Sequence, residues 1–449
     1  MNNETTFAPH SQLSIHNSPF IRPGYKQTEV GVIPEDWDVI TLGGLAQLKN
    51  GYAFKSSTYT PLGGFKVVTI ANVQDGYMDI LECNRIASLP NDVQPHHRLE
   101  VGDVLISMTG NVGRVCRVTA THCVLNQRVG KLVPTNVDAQ FLFHLLSENS
   151  FQVTMMGKAK GGAQGNLSVN DIIDFLFPIP PTKAEQEAVA EALSDADALI
   201  ESLEGLIAKK RQIKQGAMQE LLTGKTRLPG FSGEWGEKSF GEIFDYYPTA
   251  TNSRSDLDPA GDTYYIHYGD IHMRFHNHLD FSVEQPPRIL RSRCRNAALL
   301  RNGDLVMADA SEDYDGVGKS IEIQGLVNGV DAVSGLHTFL LREKSDTFVP
   351  GFKGHLANLE SLHEQFLRVA TGMKVFGVSK AALRDLVLPI PDRKEQAAIT
   401  QILSDMDAQI AALETKLVKA RQIKGGMMQE LLTGRIRLKS GELKMENGE

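Results

Sequence analysis

EQEAVAEALSDADALIESLEGLIAKKRQIKQGAMQELLTGKTRL, residues 185–228, is written twice in this chain. It returns at residues 395–438 as EQAAITQILSDMDAQIAALETKLVKARQIKGGMMQELLTGRIRL, 210 residues further on, with more than half of the positions identical and no gap. Glu185-Gln186 returns as Glu395-Gln396, Leu193-Ser194-Asp195 as Leu403-Ser404-Asp405, and Arg211-Gln212-Ile213-Lys214 as Arg421-Gln422-Ile423-Lys424. Chance does not produce this.

Both copies share one periodicity. Val189, Leu193, Ala196, Ile200, Leu203 and Ile207 step by four and three, as do Ile399, Leu403, Met406, Ile410, Leu413 and Leu417. This is a heptad seam over about three heptads, the sign of a coiled coil. Leu193, Ile200, Leu203, Ile207, Leu403, Ile410, Leu413 and Leu417 are the expected packing residues. Prolines 178, 180 and 181 precede one copy and 389 and 391 the other, as where an extended chain enters a helix. Gly224 and Gly434 stand where a C-terminal cap belongs, and Gly216 and Gly426 are places for a kink or an early end. A helix over residues 183–223 would be roughly 60 Å long. Two copies fall short of a solenoid, which needs three or more.

The length implies more than one domain, and 41% hydrophobic with 22% charged residues is ordinary for a soluble globular protein. No run approaches the ~18 apolar residues of a membrane span, and the polar first residues lack a signal peptide's apolar core, so a cytoplasmic location is expected. Cys83, Cys116, Cys123 and Cys294 show neither metal spacing nor a disulfide framework. A net charge of −8 rules out a polycation; nucleic-acid binding would need local patches or a partner's positive field.

Residues 1–22 are polar and without period, which reads as a mobile extension. Ile33-Pro34-Glu35-Asp36-Trp37 opens a domain with strand-like runs at 65–70, 104–107 and 112–118 and a helical stretch at 139–156. After the first repeat, Trp235 opens a second domain. There Gly303-Asp304-Leu305-Val306 echoes Gly102-Asp103-Val104-Leu105, and Ser379, Leu383, Leu386 and Pro389 echo Ser168, Ile172, Phe175 and Pro178. The domains are a diverged pair; the helices are a conserved one.

These features together, with Gly31-Val32-Ile33-Pro34-Glu35-Asp36-Trp37 and the linker from Gly224 to Trp235, resemble a type I restriction-modification specificity subunit. The resemblance covers residues 25–438. It implies an α+β protein with two mixed α/β target-recognition domains, each reading half of a split DNA sequence, separated by two long antiparallel coiled-coil helices. It implies no catalysis in this chain. Two methyltransferase subunits and motor-nuclease subunits would be recruited, and S-adenosylmethionine, ATP and magnesium would reside in those partners. The implied order is an extension at 1–22, domains at 23–181 and 225–391, spacer helices at 182–224 and 392–438, and a tail at 439–449.

Catalytic motifs are missing. Gly318-Lys319-Ser320 ends like a phosphate loop, but Asp313 stands where its first glycine is needed. Asn17-Ser18-Pro19-Phe20 lacks one proline of an adenine-methyltransferase motif. His267, His272, His276 and His278 fit no standard metal spacing, and Asp309, Glu312, Asp313 and Asp315 read as a solvated acidic loop.

DNA readers position themselves on phosphate and discriminate at base edges with Arg, Lys, Asn, Gln and Glu. In the first domain the resemblance points to Tyr52, Lys55, Thr109, Asn111, Arg114, Gln127, Arg128, Lys158, Lys160 and Gln164. In the second it points to His267, Tyr268, Arg274, Lys319, His337 and Lys374. Some of the glycines and amides in these loops would equally build turns. Arg288, Arg291, Arg293, Arg295 and Arg301 form either a phosphate-facing strip or a solvated edge. Arg211, Lys214, Arg421 and Lys424 either offset a helix dipole or pack on a domain or partner. The rival reading, from another class, is a protein-interaction scaffold with two repeated binding domains.

Overall fold

The computed structural model describes residues 21–159, 166–314, 316–372 and 374–438. Among them no helix is long and apolar enough to cross a membrane. The chain divides into two compact units that do not follow its linear order. One holds the described residues up to Leu203 and those from Lys416 onward; the other is Glu204–Thr415. The repeats form two unbroken helices, Lys183–Leu221 and Arg393–Leu431. Each is 39 residues, about 58 Å, and the halves of each helix belong to different units. Gly216 and Gly426 do not break them, and a side chain at either would meet open space.

In the first unit, strand Asp38–Thr41 pairs antiparallel with Leu176–Ile179, so the domain begins and ends side by side at the foot of the first helix. Between them lies an antiparallel sheet in the order Ala46–Asn50, Val129–Pro134, Val104–Ser107, Val115–Arg117. A second sheet runs Asn84–Ile86, Phe65–Val68, Cys123–Leu125, Arg98–Leu99, with its two central strands parallel. The helical stretch expected at 139–156 is two helices, Ala139–Leu146 and Asn149–Lys158. Glu148 divides them by accepting from the Ser150 N–H at 2.8 Å, a new N-cap. The strand expected at 112–118 shortens to Val115–Arg117 because Gly113 turns the chain with φ +78°.

The second unit repeats the plan. Gly236–Ser239 pairs with Val387–Ile390. A five-stranded sheet follows the order Phe244–Tyr247, Thr338–Glu343, Leu305–Ala308, Ser320–Gln324, His278–Asp280. Arg288–Ile289, Thr263–Ile266 and Asp331–Ser334 form the smaller sheet, again with one parallel pair. The echoed words hold equivalent places. Asp103 accepts from Glu100 N at 2.8 Å and pairs with Lys131; Asp304 accepts from Arg301 N at 2.8 Å and pairs with Arg342. The preceding glycines take φ +97° and +85°, where a Cβ would be strained. Ser168 and Ser379 cap the helices Val169–Ile173 and Lys380–Asp385.

The helices pack antiparallel within each unit. Val189, Ala190 and Leu193 share a core with Leu431 and Leu432 in the first; Met218, Leu221 and Leu222 share one with Ile399 and Leu403 in the second. Of the expected seam, Leu193, Ile207, Leu403 and Ile410 are buried and Ile200, Leu203, Leu413 and Leu417 half-buried, whereas off-seam Leu199 and Leu206 are exposed. Polar seam positions are paired. Asp197 meets Lys424 at 2.5 Å, Lys214 meets Asp407, and Arg211 meets Glu414 at 2.5 Å. Arg211, Lys214 and Lys424 thus each answer a carboxylate on the opposite helix.

Glu185 and Glu395, nearly buried at the start of each helix, are gripped through both oxygens by an arginine just beyond the end of the other. Arg437 reaches Glu185 at 2.8 and 2.7 Å; Arg227 reaches Glu395 at 2.7 Å twice. The neighbouring glutamines face their own domains: Gln186 accepts from Asp138 N at 3.0 Å and Gln396 from Val349 N at 2.9 Å.

Under each helix pair lies a buried histidine, His144 in the first unit and His355 in the second. Burial holds His144 down at about 4, against an opposing pull from Asp197, and His355 at about 3. Both are neutral in the fold and titrate near 6.5 when unfolded. Between pH 6.5 and 4 the unfolded chain thus binds more protons, and stability falls as pH falls. For His144 the loss is about 3 kcal/mol. Thermal melts at stepped pH are expected to show a decline over this window, flattened in a His144→Gln, His355→Gln double variant; an equally steep decline in that variant would assign it to carboxylates alone.

Candidate nucleic-acid interface

In the first domain the strand ends bring Tyr52, residues 108–114 and residues 126–128 to one edge. Tyr52 N–H donates to Leu125 O at 2.8 Å, Gln127 N–H to Tyr52 O at 3.0 Å, and Met108 N–H to Arg128 O at 3.1 Å. Thr109 bridges to Asn166, just past residues 160–165. Gly51 is required here, since a Cβ would lie 2.2 Å from the Asn126 carbonyl oxygen. Gln127, Arg128, Lys55 and Asn111 are exposed. Arg114 is half-buried and donates to Gln74 Oε1 at 2.6 Å, and the turned Asn111 amide would also accept from it. Tyr52 donates to Asp92 at 2.8 Å, a bond that raises the phenol's pKa.

Lys158 lies elsewhere. It donates to Asp171 O at 3.1 Å and lines a cleft with Phe175, Leu432 and Thr433. Lys160 and Gln164 fall outside the described residues.

The second domain builds the same edge with other side chains. Asp309 N–H donates to His337 O at 3.1 Å, and Ala310–Ser311 pairs with Phe376–Gly377. His267 caps helix Tyr268–Met273 by accepting from Gly269 N at 3.1 Å, and burial lowers its pKa. The Tyr268 ring stands 5.4 Å from His337 and 6.0 Å from His272. Lys319 donates to His272 O at 3.3 Å, while exposed Arg274 is tied to Glu284 and Gln285. Burial raises the Asp309 carboxyl's pKa against His337's opposing charge. The sequence reading missed Tyr314, which stacks on Phe376 at 3.8 Å beside exposed Lys374. Nothing in the local pattern links two aromatics 62 residues apart; only the echo of the domains places their loops together.

A family model described as "Type I restriction modification DNA specificity domain" matches residues 34–212. The type I restriction enzyme MjaVIII specificity subunit of Methanocaldococcus jannaschii is 22% identical over 432 residues, covering 91% of this chain and 95% of that one. The crystal structure of the type I restriction-modification S subunit from M. genitalium superposes with a TM-score of 0.55 at 16% identity, over 92% of this chain and 99% of that one. A chain from "Structural basis underlying complex assembly and conformational transition of the type I R-M system" gives 0.53 at 18% identity, over 90% and 99%. These two likenesses carry the fold. Residues 34–212 thus match a type I restriction-modification DNA specificity domain, and over nine-tenths of its length the chain is similar to type I specificity subunits.

Specificity subunits are non-catalytic, in agreement with the missing motifs. Among the described residues no group of three or more His, Cys, Asp and Glu is placed to hold a metal ion. The acidic loop is likewise structural: Asp313 accepts from Gly316 N at 2.7 Å. In the arginine run, Arg288 donates to the Tyr264 hydroxyl at 2.7 Å, Arg291 to the Cys294 and Ala297 carbonyls, and Arg293 to Asp256 O. Three of the five thus spend donors inside the domain, leaving Arg295 and Arg301 exposed.

Gly51→Ala forces the Tyr52 segment off Asn126. Denaturant melts are expected to show a loss of about 1–3 kcal/mol, the usual cost of overpacking; unchanged stability would mean that the edge is not clamped there.

Proposed function

We propose that this DNA specificity subunit reads a bipartite, asymmetric target, one half-site per domain, and recruits methyltransferase and motor-nuclease subunits. One observation carries the reading: two domains of the same frame expose different side chains at the same edge, Gln127 and Arg128 in one, His337 and Lys319 beside half-buried Tyr268 in the other. A duplicated frame with unlike side chains suits two unlike half-sites. Base edges in the major groove offer the donor and acceptor pattern these side chains can discriminate. S-adenosylmethionine, ATP and magnesium belong to the partners in this reading. The net charge of −8 fits a chain whose phosphate contacts are shared with them.

Single-molecule methylome sequencing of a host carrying the cognate methyltransferase, with and without this chain, tests the reading. Methyladenine in a split motif only when the chain is present is expected. No new mark, with the methyltransferase folded and bound, would favour the protein-interaction scaffold.

The helices act as a ruler in this proposal. Adding helical turns to one of them is expected to change the unread spacer and leave both half-sites as they were. An unchanged spacer in such variants would count against the ruler.

A further inference from the structure

Each domain places one residue at the same point of the same frame. Arg128 and His337 both lie between the parallel-paired strand of the smaller sheet and the central strand of the larger one. Each carbonyl accepts from the residue that follows the adjacent strand, Met108 N or Asp309 N, both at 3.1 Å. That residue's own carbonyl accepts in turn from Leu167 N or Val378 N, both at 2.9 Å. The same main-chain bonds hold this point in both domains, with the Asn126 side chain adding a bond from Arg128 N–H at 3.3 Å in one and the Asp309 carboxylate one to the His337 ring in the other.

The two side chains present unused donors and acceptors. Arg128 is exposed, and among the described residues its guanidinium has no partner, whereas Arg114 nearby is committed to Gln74. His337 stands in the left-handed region, φ +56°, with Nδ1 3.2 Å from Asp309 Oδ1. Its Nε2 has no partner among the described residues. A non-glycine residue with positive φ, held by a carboxylate at one nitrogen, is positioned rather than loose.

We propose that Arg128 and His337 are the equivalent base-reading residues of the two domains. Arg128 takes O6 and N7 of a guanine in one half-site through its planar fork. In the tautomer whose Nδ1–H donates to Asp309 Oδ1, His337 offers Nε2 as an acceptor to the exocyclic amino group of adenine or cytosine in the other half-site. The assignment rests on the DNA-reading function proposed above.

The test is methylome sequencing of hosts expressing the wild-type chain, Arg128→Ala, Arg128→Lys or His337→Ala with the cognate methyltransferase. Co-purification with the methyltransferase reports folding of each variant. Arg128→Ala is expected to relax one guanine of one half-site by roughly 10–100-fold and leave the other half untouched. Arg128→Lys, which keeps the charge but loses the fork, is expected to relax the same position. His337→Ala should relax an adenine or cytosine in the opposite half. A uniform drop in methylation with unchanged motifs, or Arg128→Lys behaving as wild type, would make these residues phosphate contacts and overturn the proposal. A wild-type chain that yields no split motif would instead overturn the function on which it rests.

Discussion

A carboxylate taken out of water at the foot of each long helix constrains the rest of the molecule. Glu395 is 1% exposed and Glu185 7%. Burying either costs several kcal/mol unless its oxygens are answered with good geometry. Arg227 and Arg437 answer both oxygens, and Trp235 Nε1 adds a bond to Glu395 at 3.0 Å. In the other unit Trp37 makes no such bond, and Arg437 instead takes Asp36 at 2.8 and 2.9 Å. The bonding raises the pKa of both guanidiniums, so neither arginine can be neutral at any working pH. To reach these sites the chain must turn sharply after Leu221 and Leu431. Gly224 and Gly434 permit it with φ +69° and +70°, and a Cβ there would press on Trp235 or on Pro34 and Trp37.

This arrangement explains why the repeat is spelled as it is. The retained glutamates meet the retained arginines of the other copy, and Asp197 and Asp407 meet Lys424 and Lys214. Every such contact is made once in each unit, so a change in one copy breaks a contact whose partner lies in the other. Seam polarity has the same effect. A leucine in place of Lys214 would strand Asp407, whereas a register slip would strand both, so the ion pairs select one antiparallel alignment more than they add stability.

The helices were legible because the 3.6-residue period, the seam and the repeat agree, and local propensity was never in conflict with packing. Their antiparallel pairing came from family likeness; the heptads do not specify direction. The sequence left Arg211-Gln212-Ile213-Lys214 between a helix-dipole role and packing, and the ion pairs of Arg211 and Lys214 with the opposite helix were hidden because a basic run resembles a helix terminus, whereas the helix continues to Leu221 through Gly216. In the domains, strands were found where β-branched runs are bounded by glycine. The break at Ser147-Glu148 was hidden, since a capping glutamate looks like any helical residue. The candidate loops were named by likeness more than by pattern, and the fold brings Tyr52, residues 108–114 and residues 126–128 to one edge. Which arginines are free and which are spent depends on partners up to 40 residues away, such as Gln74 for Arg114.

The unequal divergence of helices and domains has a physical cause. In the helix pair, side chains hold side chains, so identity is constrained. At the strand-end edge, main-chain bonds hold most of the frame, and the shared side chains are those that supply backbone geometry: Gly102 and Gly303 with Asp103 and Asp304, or Gly63 and Gly261, where a Cβ would strike the backbone of Ile86 or Ile289 at 2.5 Å. An edge built in this way carries arginine at position 128 and histidine at position 337 on one main-chain frame, and at 337 the left-handed backbone, φ +56°, limits what else can stand there. The exposed side chains can then change while the scaffold beneath them stays still, and the two domains can differ in what they present without differing in how they fold.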